Sequence, residues 1–296
     1  MKELTSTRAR STTSDRAAAS TRIVRRWFVT ALMVVIALIW TVPSFWALVT
    51  SLKLTPAIFR LPPVWIPSPL TLSQYLAIFS NDRSTNIAQS LVNSVVYAVV
   101  STVLVIVISA LAAYPLARMK FPGRDVVFWM IVGSLMVPGV INIVPLYLMM
   151  YRLGWISTYQ ALIAPQLASA FGVFLLRQFF LSLPSELEDA ARIDGANSWH
   201  IFYRVLLPLS KAAMATLAIL TFQFAWNDFT WPLIILNQQS MFTLPVALSL
   251  LQTAYSSTSY GPIMAGAVVS ALPLLLVFLV ANRQIVEGVK LSGLKT

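Results

Sequence analysis

Residues 90–117 read SLVNSVVYAVVSTVLVIVISALAAYPLA, an uninterrupted stretch without one charged side chain. A helix crossing a bilayer needs about 20 mostly apolar residues. This run meets that length, and it is not isolated. Working outward in both directions, five further runs qualify, at about 27–50, 126–149, 160–182, 210–236 and 262–282. Continuous runs of this length predict helices, because a membrane barrel shows short alternating segments instead. Composition agrees. The chain has 296 residues, 58% hydrophobic and 10% charged, whereas a soluble domain carries about 25% charged residues. The predicted fold is therefore an all-α integral membrane protein with six transmembrane helices.

The segments between the runs set the organisation. Residues 1–26 are polar, basic and rich in Ser, Thr and Ala, and read as a disordered N-terminus. Residues 27–50 read as a retained anchor rather than a cleaved signal, since the small residues Ala17 to Ala19 precede the apolar run. Residues 51–88 form the longest segment on the side opposite the N-terminus. Residues 89–282 then hold spans two to six, with a polar segment at 183–209 between spans four and five. Residues 237–261 read as a loop rich in Ser, Thr and Gln, and 283–296 as a tail. Of the 21 basic residues, 17 fall on the side of the N-terminus and only Lys53, Arg60, Arg83 and Arg152 on the other. The positive-inside rule places both termini in the cytoplasm. It also accounts for a net charge of +11 without nucleic acid.

Catalytic chemistry has no foothold. The single histidine, His200, lies in the 183–209 loop, so no Ser–His–Asp triad can be assembled around it. There is no cysteine, no metal-ligand cluster and no Gly-rich phosphate loop. The chain is not read as an enzyme, and no catalytic or metal residue is assigned. Mid-membrane carboxylates, which ion-coupled carriers need, are scarce as well. Only Asp228 approaches the interior, and Arg177 near the inner end of span four is placed to snorkel. If the chain moves a solute, the energy comes from a partner.

The loop itself is heavily punctuated. Its first part, 183–208, reads LPSELEDAARIDGANSWHIFYRVLLP. Ser185 and Glu188 have the spacing of a capping box. Glu186, Glu188 and Asp189 sit where a helix dipole favours negative charge. Glu188 and Arg192 are paired at i, i+4, and Gly195 suits a left-handed stop. A second short helix is expected from about Ser198 to Pro208. Ala190 and Ala191 are small enough to let another protein approach.

This segment resembles the EAA loop of binding-protein-dependent ABC importer permeases. The family pattern is Glu-Ala-Ala, three residues, Gly, nine residues, then Ile-x-Leu-Pro. Here Asp189-Ala190-Ala191 is followed by Gly195 and by Val205-Leu206-Leu207-Pro208, with Asp in place of Glu and Val in place of Ile. The resemblance extends over about residues 40–296. Ser51-Leu52-Lys53, Asn93-Ser94, Ala112-Ala113-Tyr114 through Arg118, Phe121-Pro122-Gly123-Arg124, Trp226-Asn227-Asp228 and the tail around Gly288 and Gly293 all resemble the carbohydrate, maltose-type branch. The final Leu294, Lys295 and Thr296 depart from it.

The resemblance implies a type I permease fold with a cytoplasmic coupling helix, in a bacterial or archaeal cytoplasmic membrane. It implies a second permease, usually a different polypeptide, two cytoplasmic ATPases that carry the ATP and Mg, and an extracytoplasmic sugar-binding protein. No cofactor is expected on this chain. Asp189, Ala190, Ala191 and Gly195 are the implied coupling residues, flanked by Glu188 and Asp194, with Gly293 and Lys295 as implied tail contacts. Hydrogen-bonding side chains facing an inner path are sought separately, and Asn142, Gln166, Ser169, Gln223, Asn227 and Asp228 are candidates, with Trp226 as a sugar-stacking candidate. Two other readings remain open at this point: a permease for glycerol-phosphate or a polyol, marked by a basic residue in the path, and an ion-coupled secondary carrier.

Overall fold

The computed structural model describes residues 3–80, 86–255 and 260–293, with side-chain surroundings given from Arg25 to Val280 apart from Ala254. Every regular element among them is helical. Three helices are long and apolar enough to cross a membrane unbroken, within α1 (Glu3–Ser51), α4 (Ile87–Arg118) and α15 (Gly261–Gly293). The remaining spans are built from broken helices. Helix α5 (Arg124–Ser134) and a 3₁₀ turn leading into α6 (Ile143–Arg152) meet at 93°. Helix α7 (Tyr159–Ile163) with its 3₁₀ extension meets α8 (Ala170–Ser182) at 45°. The polar loop holds α9 (Glu186–Ile193) and then α10 (Ser198–His200), a π-helical turn and α11 (Leu207–Leu209), which meet α12 (Lys211–Asn227) at 73°. Counting each bent pair as one span gives six.

The breaks have local causes. Proline lacks a backbone donor and pushes the preceding residue out of the helical region. Pro138 sits at the α5–α6 break, and Pro165 opens the 3₁₀ turn after α7. Ser169 then caps α8 by accepting from the Gly172 amide at 3.0 Å. Helix α12 stops at Asn227, and Asp228 turns the chain into α13 (Thr230–Ile235). By contrast Pro43, Pro115 and Pro273 lie inside unbroken helices. Proline alone therefore does not mark the hinges.

Two expectations are corrected. The backbone is helical from Glu3, so residues 3–26, part of the segment read as disordered, belong to the helix whose candidate span is Arg25–Ser51. The stretch 237–261 is more than a polar loop, because it carries α14 (Leu244–Tyr255) with Leu244, Val246, Ala247 and Leu251 buried. Its apolar positions repeat at helical spacing, but the run is too short to span a bilayer and is hidden among Gln and Ser. The 51–88 segment carries α2 (Thr55–Ile58) and α3 (Ser73–Phe79). There Gln74 donates to the Lys53 carbonyl at 2.9 Å, and the Lys53 ammonium lies 4.3 Å from the Trp46 ring centroid. Burial pushes the Lys53 pKa below the ordinary lysine range.

Helix α4 is the central post, packed on α8 and α12, while α15 packs on α12 and on α1. Two buried clusters stack along it. One gathers Tyr97, Trp226, Trp231, Ile235, Leu244 and Ala265. The other gathers Tyr114, Leu116, Phe128, Phe180, Phe202, Leu206 and Leu217. Between them α4 and α8 touch closely. A Cβ on Gly172 would stand 2.4 Å from the Ser109 hydroxyl, so this crossing needs glycine. Small residues that let backbones approach are how helices associate in lipid, where water supplies no drive.

Candidate functional site

Helix α9 hangs from the base of the bundle by one charged contact. Glu188 is 5% exposed, and its Oε1 lies 2.9 Å from Nε of Arg118 at the end of α4. The N–H is not aligned on that oxygen, so the contact is an ion pair and not a hydrogen bond. Arg118 Nη2 donates at 2.6 Å to the Phe180 carbonyl and at 2.7 Å to that of Leu183. One guanidinium thus joins the end of α4, the end of α8 and the inner face of α9. A step further on, the Tyr114 hydroxyl donates to the Ser198 carbonyl at 3.1 Å, and the Tyr114 and Phe202 rings lie 5.0 Å apart. The loop is fixed to the bundle at both of its helices.

The expected capping box does not form. Ser185 has helical backbone angles and makes no capping hydrogen bond. Glu188 turns inward to Arg118 instead, which makes it an anchor and not a flanking contact residue. The i, i+4 partner Arg192 lies 3.9 Å from its other oxygen. The stop is as expected: Gly195 has φ +83. The Gly195 amide donates to Arg192 O at 3.0 Å and the Ala196 amide to Ala191 O at 2.9 Å. These are the two bonds of a Schellman motif. A Cβ on Gly195 would meet nothing within 4 Å, so glycine is required there by backbone conformation alone. The second short helix also forms, capped by Asn197 accepting from the His200 amide at 2.9 Å.

What remains faces away from the bundle. Glu186, Asp189, Ala190 and Ile193 share one helical face at i, i+3, i+4, i+7 spacing, and all are exposed. Ile193 is 87% exposed, an apolar knob on an acidic, small-residue surface. Asp194 and Gly195 continue that surface, and Ala191 turns half inward. Gly293 ends α15, its surroundings lie outside the described residues, and Lys295 lies outside them altogether.

The path candidates divide differently. Asp228 and Gln166 come together. The Tyr97 hydroxyl donates to Asp228 Oδ2 at 2.9 Å, Gln166 Nε2 donates to the same oxygen at 3.4 Å and also to the Tyr97 hydroxyl, and Asp228 Oδ1 accepts from the Trp231 amide at 3.3 Å. This knot ties α4, the α7–α8 break and the α12–α13 break. Trp226 is corrected. It is 1% exposed, its Nε1 donates to the Ser270 carbonyl at 3.1 Å, and it stacks on Phe222, so it is core and offers no face to a sugar. Ser169 is engaged as the α8 cap. Asn142 lies exposed in the 3₁₀ turn before α6, and Gln223 lies exposed on α12, its carbonyl accepting from Asn227 Nδ2 at 2.9 Å. Asn227 lines a cavity of about 470 Å³ whose other polar groups are Ser249, Gln252 and Ser270. Ser249 and Gln252 belong to α14, which the sequence reading passed over.

Comparison with known proteins accords with this arrangement. Residues 105–290 match the family model described as the binding-protein-dependent transport system inner membrane component. The chain belongs to that family. As a member it is a multi-pass membrane permease subunit and not an enzyme. It is similar to the arabinooligosaccharides transport system permease protein AraQ of Halalkalibacterium halodurans, 34% identical over 91% of this chain and 96% of the relative. It is similar also to the sn-glycerol-3-phosphate transport system permease protein UgpE of Yersinia pestis, 36% identical over 78% of this chain and 84% of the relative. Its fold matches a chain of a bacterial ABC transporter involved in the import of the acidic polysaccharide alginate, with a TM-score of 0.76 and 24% identity over 86% of this chain and 94% of that one. Through Arg118 the anchored α9 is joined to the ends of α4 and α8, with its exposed face turned away from them.

Proposed function

We propose that the chain is one half of the translocation path of an ATP-driven importer for neutral sugars, coupled through α9 to a cytoplasmic ATPase. It pairs with a second permease above two ATPases that bind the ATP and Mg, and receives its solute from an extracytoplasmic sugar-binding protein. Both termini are cytoplasmic, a reading supported by the basic-residue bias, and the membrane is the cytoplasmic one. The observation that carries this is the surface of α9: Asp189, Ala190 and Ile193 exposed together on a helix whose opposite side is pinned by Glu188. The solute class is supported by the cavity beside Asn227. Its polar lining is amide and hydroxyl only, with no lysine or arginine, which suits sugar hydroxyls and offers nothing to neutralise a phosphate.

The second reading, glycerol-phosphate transport, is favoured by the likeness to UgpE. Uptake by the reconstituted importer separates the two. Proteoliposomes loaded with ATP and Mg, with the binding protein outside, are offered labelled arabinotriose or labelled sn-glycerol-3-phosphate. ATP-dependent accumulation of the oligosaccharide alone supports the proposal. Accumulation of the phosphate ester alone replaces it with the second reading. Uptake by the chain without ATPase subunits, driven by an ion gradient, removes both.

A further inference from the structure

The turn joining α4 to α5 encloses an open cavity of about 650 Å³ walled by residues 120–126. Gly123, at φ +80, bends the chain there. Two cations line it, Lys120 and Arg124, and a third, Arg177, approaches the carboxylate in its wall. Lys120 is exposed and enters no ion pair among the described residues. Arg124 lies 2.9 Å from Asp125, and Arg177 lies 4.0 Å from the same carboxylate with its guanidinium 3.6 Å from the Phe128 ring centroid. Asp125 is the one acidic residue in the wall, and it answers only part of that charge. Immediately along α5, Val126, Trp129 and Met130 are 63%, 67% and 63% exposed. Their i, i+3, i+4 spacing puts them on one face, and tryptophan favours the depth where headgroups meet acyl chains. A basic crook above an apolar strip has the chemistry of an anionic lipid: phosphate above, hydrocarbon below. Basic pockets at the cytoplasmic ends of spans hold such headgroups.

We propose that this turn is a binding site for an anionic phospholipid of the inner leaflet, the headgroup between Lys120 and Arg124 and an acyl chain along Val126, Trp129 and Met130. The site rests on the topology of the proposed function, which puts the α4–α5 turn on the cytoplasmic side. Lipid of this kind would brace the base of α4 next to Arg118, and so the anchor of α9.

The test uses the complex purified in mild detergent, incubated with equal amounts of phosphatidylglycerol and phosphatidylcholine, with bound lipid counted by native mass spectrometry. Wild type is compared with Lys120→Gln/Arg124→Gln, and ATPase co-purification is scored in the same samples. Wild type is expected to enrich phosphatidylglycerol, and the variant to lose about fivefold of that preference per charge removed. Equal preference in wild type and variant overturns the site. So does abolition of the enrichment by millimolar inorganic phosphate, which would make it a free-anion site. Cross-linking of Trp129→Cys to the second permease would give the face to protein and overturn it too. A wild type that enriches phosphatidylglycerol, loses that preference in the variant, and carries no ATPase would instead sink the importer reading and leave this site standing.

Discussion

Replacing Glu188 by Gln removes one charge from the buried pair while keeping the size of the side chain. Side-chain exposure is 12% for Arg118 and 6% for Glu188, so solvent screens the contact little. Breaking such a pair costs about 3–5 kcal/mol, because the surviving charge stays buried without its partner. Arg118 still holds the Phe180 and Leu183 carbonyls at 2.6 and 2.7 Å, which offsets part of the loss. The expected cost is therefore about 2–3 kcal/mol, felt where α9 is attached. Hydrogen exchange reads it directly. The amides of Asp194, Gly195 and Ala196 close the end of α9 on the carbonyls of Ala190, Arg192 and Ala191. Their exchange should quicken by about 30- to 150-fold, since 1.4 kcal/mol is tenfold. Arg192→Gln is the control: Arg192 is 55% exposed and 3.9 Å from Glu188, so its loss should cost under about 0.5 kcal/mol. With Arg118→Gln added, the double variant should be at least about 1 kcal/mol better than the sum of the two single ones. Additive losses, or equal effects of Glu188→Gln and Arg192→Gln, would refute the anchor.

Four further substitutions have outcomes fixed by the same packing. Gly195→Ala should destabilise the loop by about 1–2 kcal/mol through backbone strain alone, with Gly195→Asn milder, read by the same exchange experiment. Gly172→Ala should lower the thermal stability of the purified protein by about 1–3 kcal/mol, since its Cβ would stand 2.4 Å from the Ser109 hydroxyl, and Ser109→Gly should recover most of it. Trp226→Phe should leave the KM for sugar uptake unchanged and cost about 1 kcal/mol of stability for the lost bond to Ser270, because that ring is core. Asp228→Asn, which keeps one of the two acceptor oxygens that serve Tyr97 and the Trp231 amide, should be tolerated better than Asp228→Ala by about 1 kcal/mol in thermal unfolding of the complex.

Much of this was legible from the chain. The six apolar runs lie on helical segments, the fifth running past the end of α12 at Asn227 into α13, because lipid demands long uncharged segments and satisfied backbones, and both leave a plain composition signal. Gly195 was legible because a left-handed stop after a charged, alanine-containing helix has few alternatives. Glu188 was found but misassigned. Its spacing to Ser185 fits a local cap, and only the tertiary fold brings Arg118, 70 positions earlier, to within reach. Trp226 carried the same ambiguity: an aromatic near a polar motif reads equally as a platform or a packing residue, and burial decides it. Helix α14 was missed because a 12-residue apolar helix sits below the length that marks a span. Its Ser249 and Gln252, with Asn227, now make the uncharged cavity that the solute proposal uses. The broken spans were not legible, because Pro138 and Pro165 break their helices while Pro115 and Pro273 do not.

The chain has no cysteine, so a single introduced thiol reports one position without background. Ile193→Cys places it on the exposed knob of α9, and Val140→Cys, at a position 76% exposed in the α5–α6 break, serves as the control. In membranes from cells expressing the whole importer, a short bifunctional thiol reagent should join Ile193→Cys to the ATPase subunit, in a yield that changes when ATP is added, and should leave Val140→Cys unjoined to it. An Ile193→Cys protein that is fully modified by the reagent, transports normally, and never links to an ATPase would contradict the claim that α9 couples this permease to its motor.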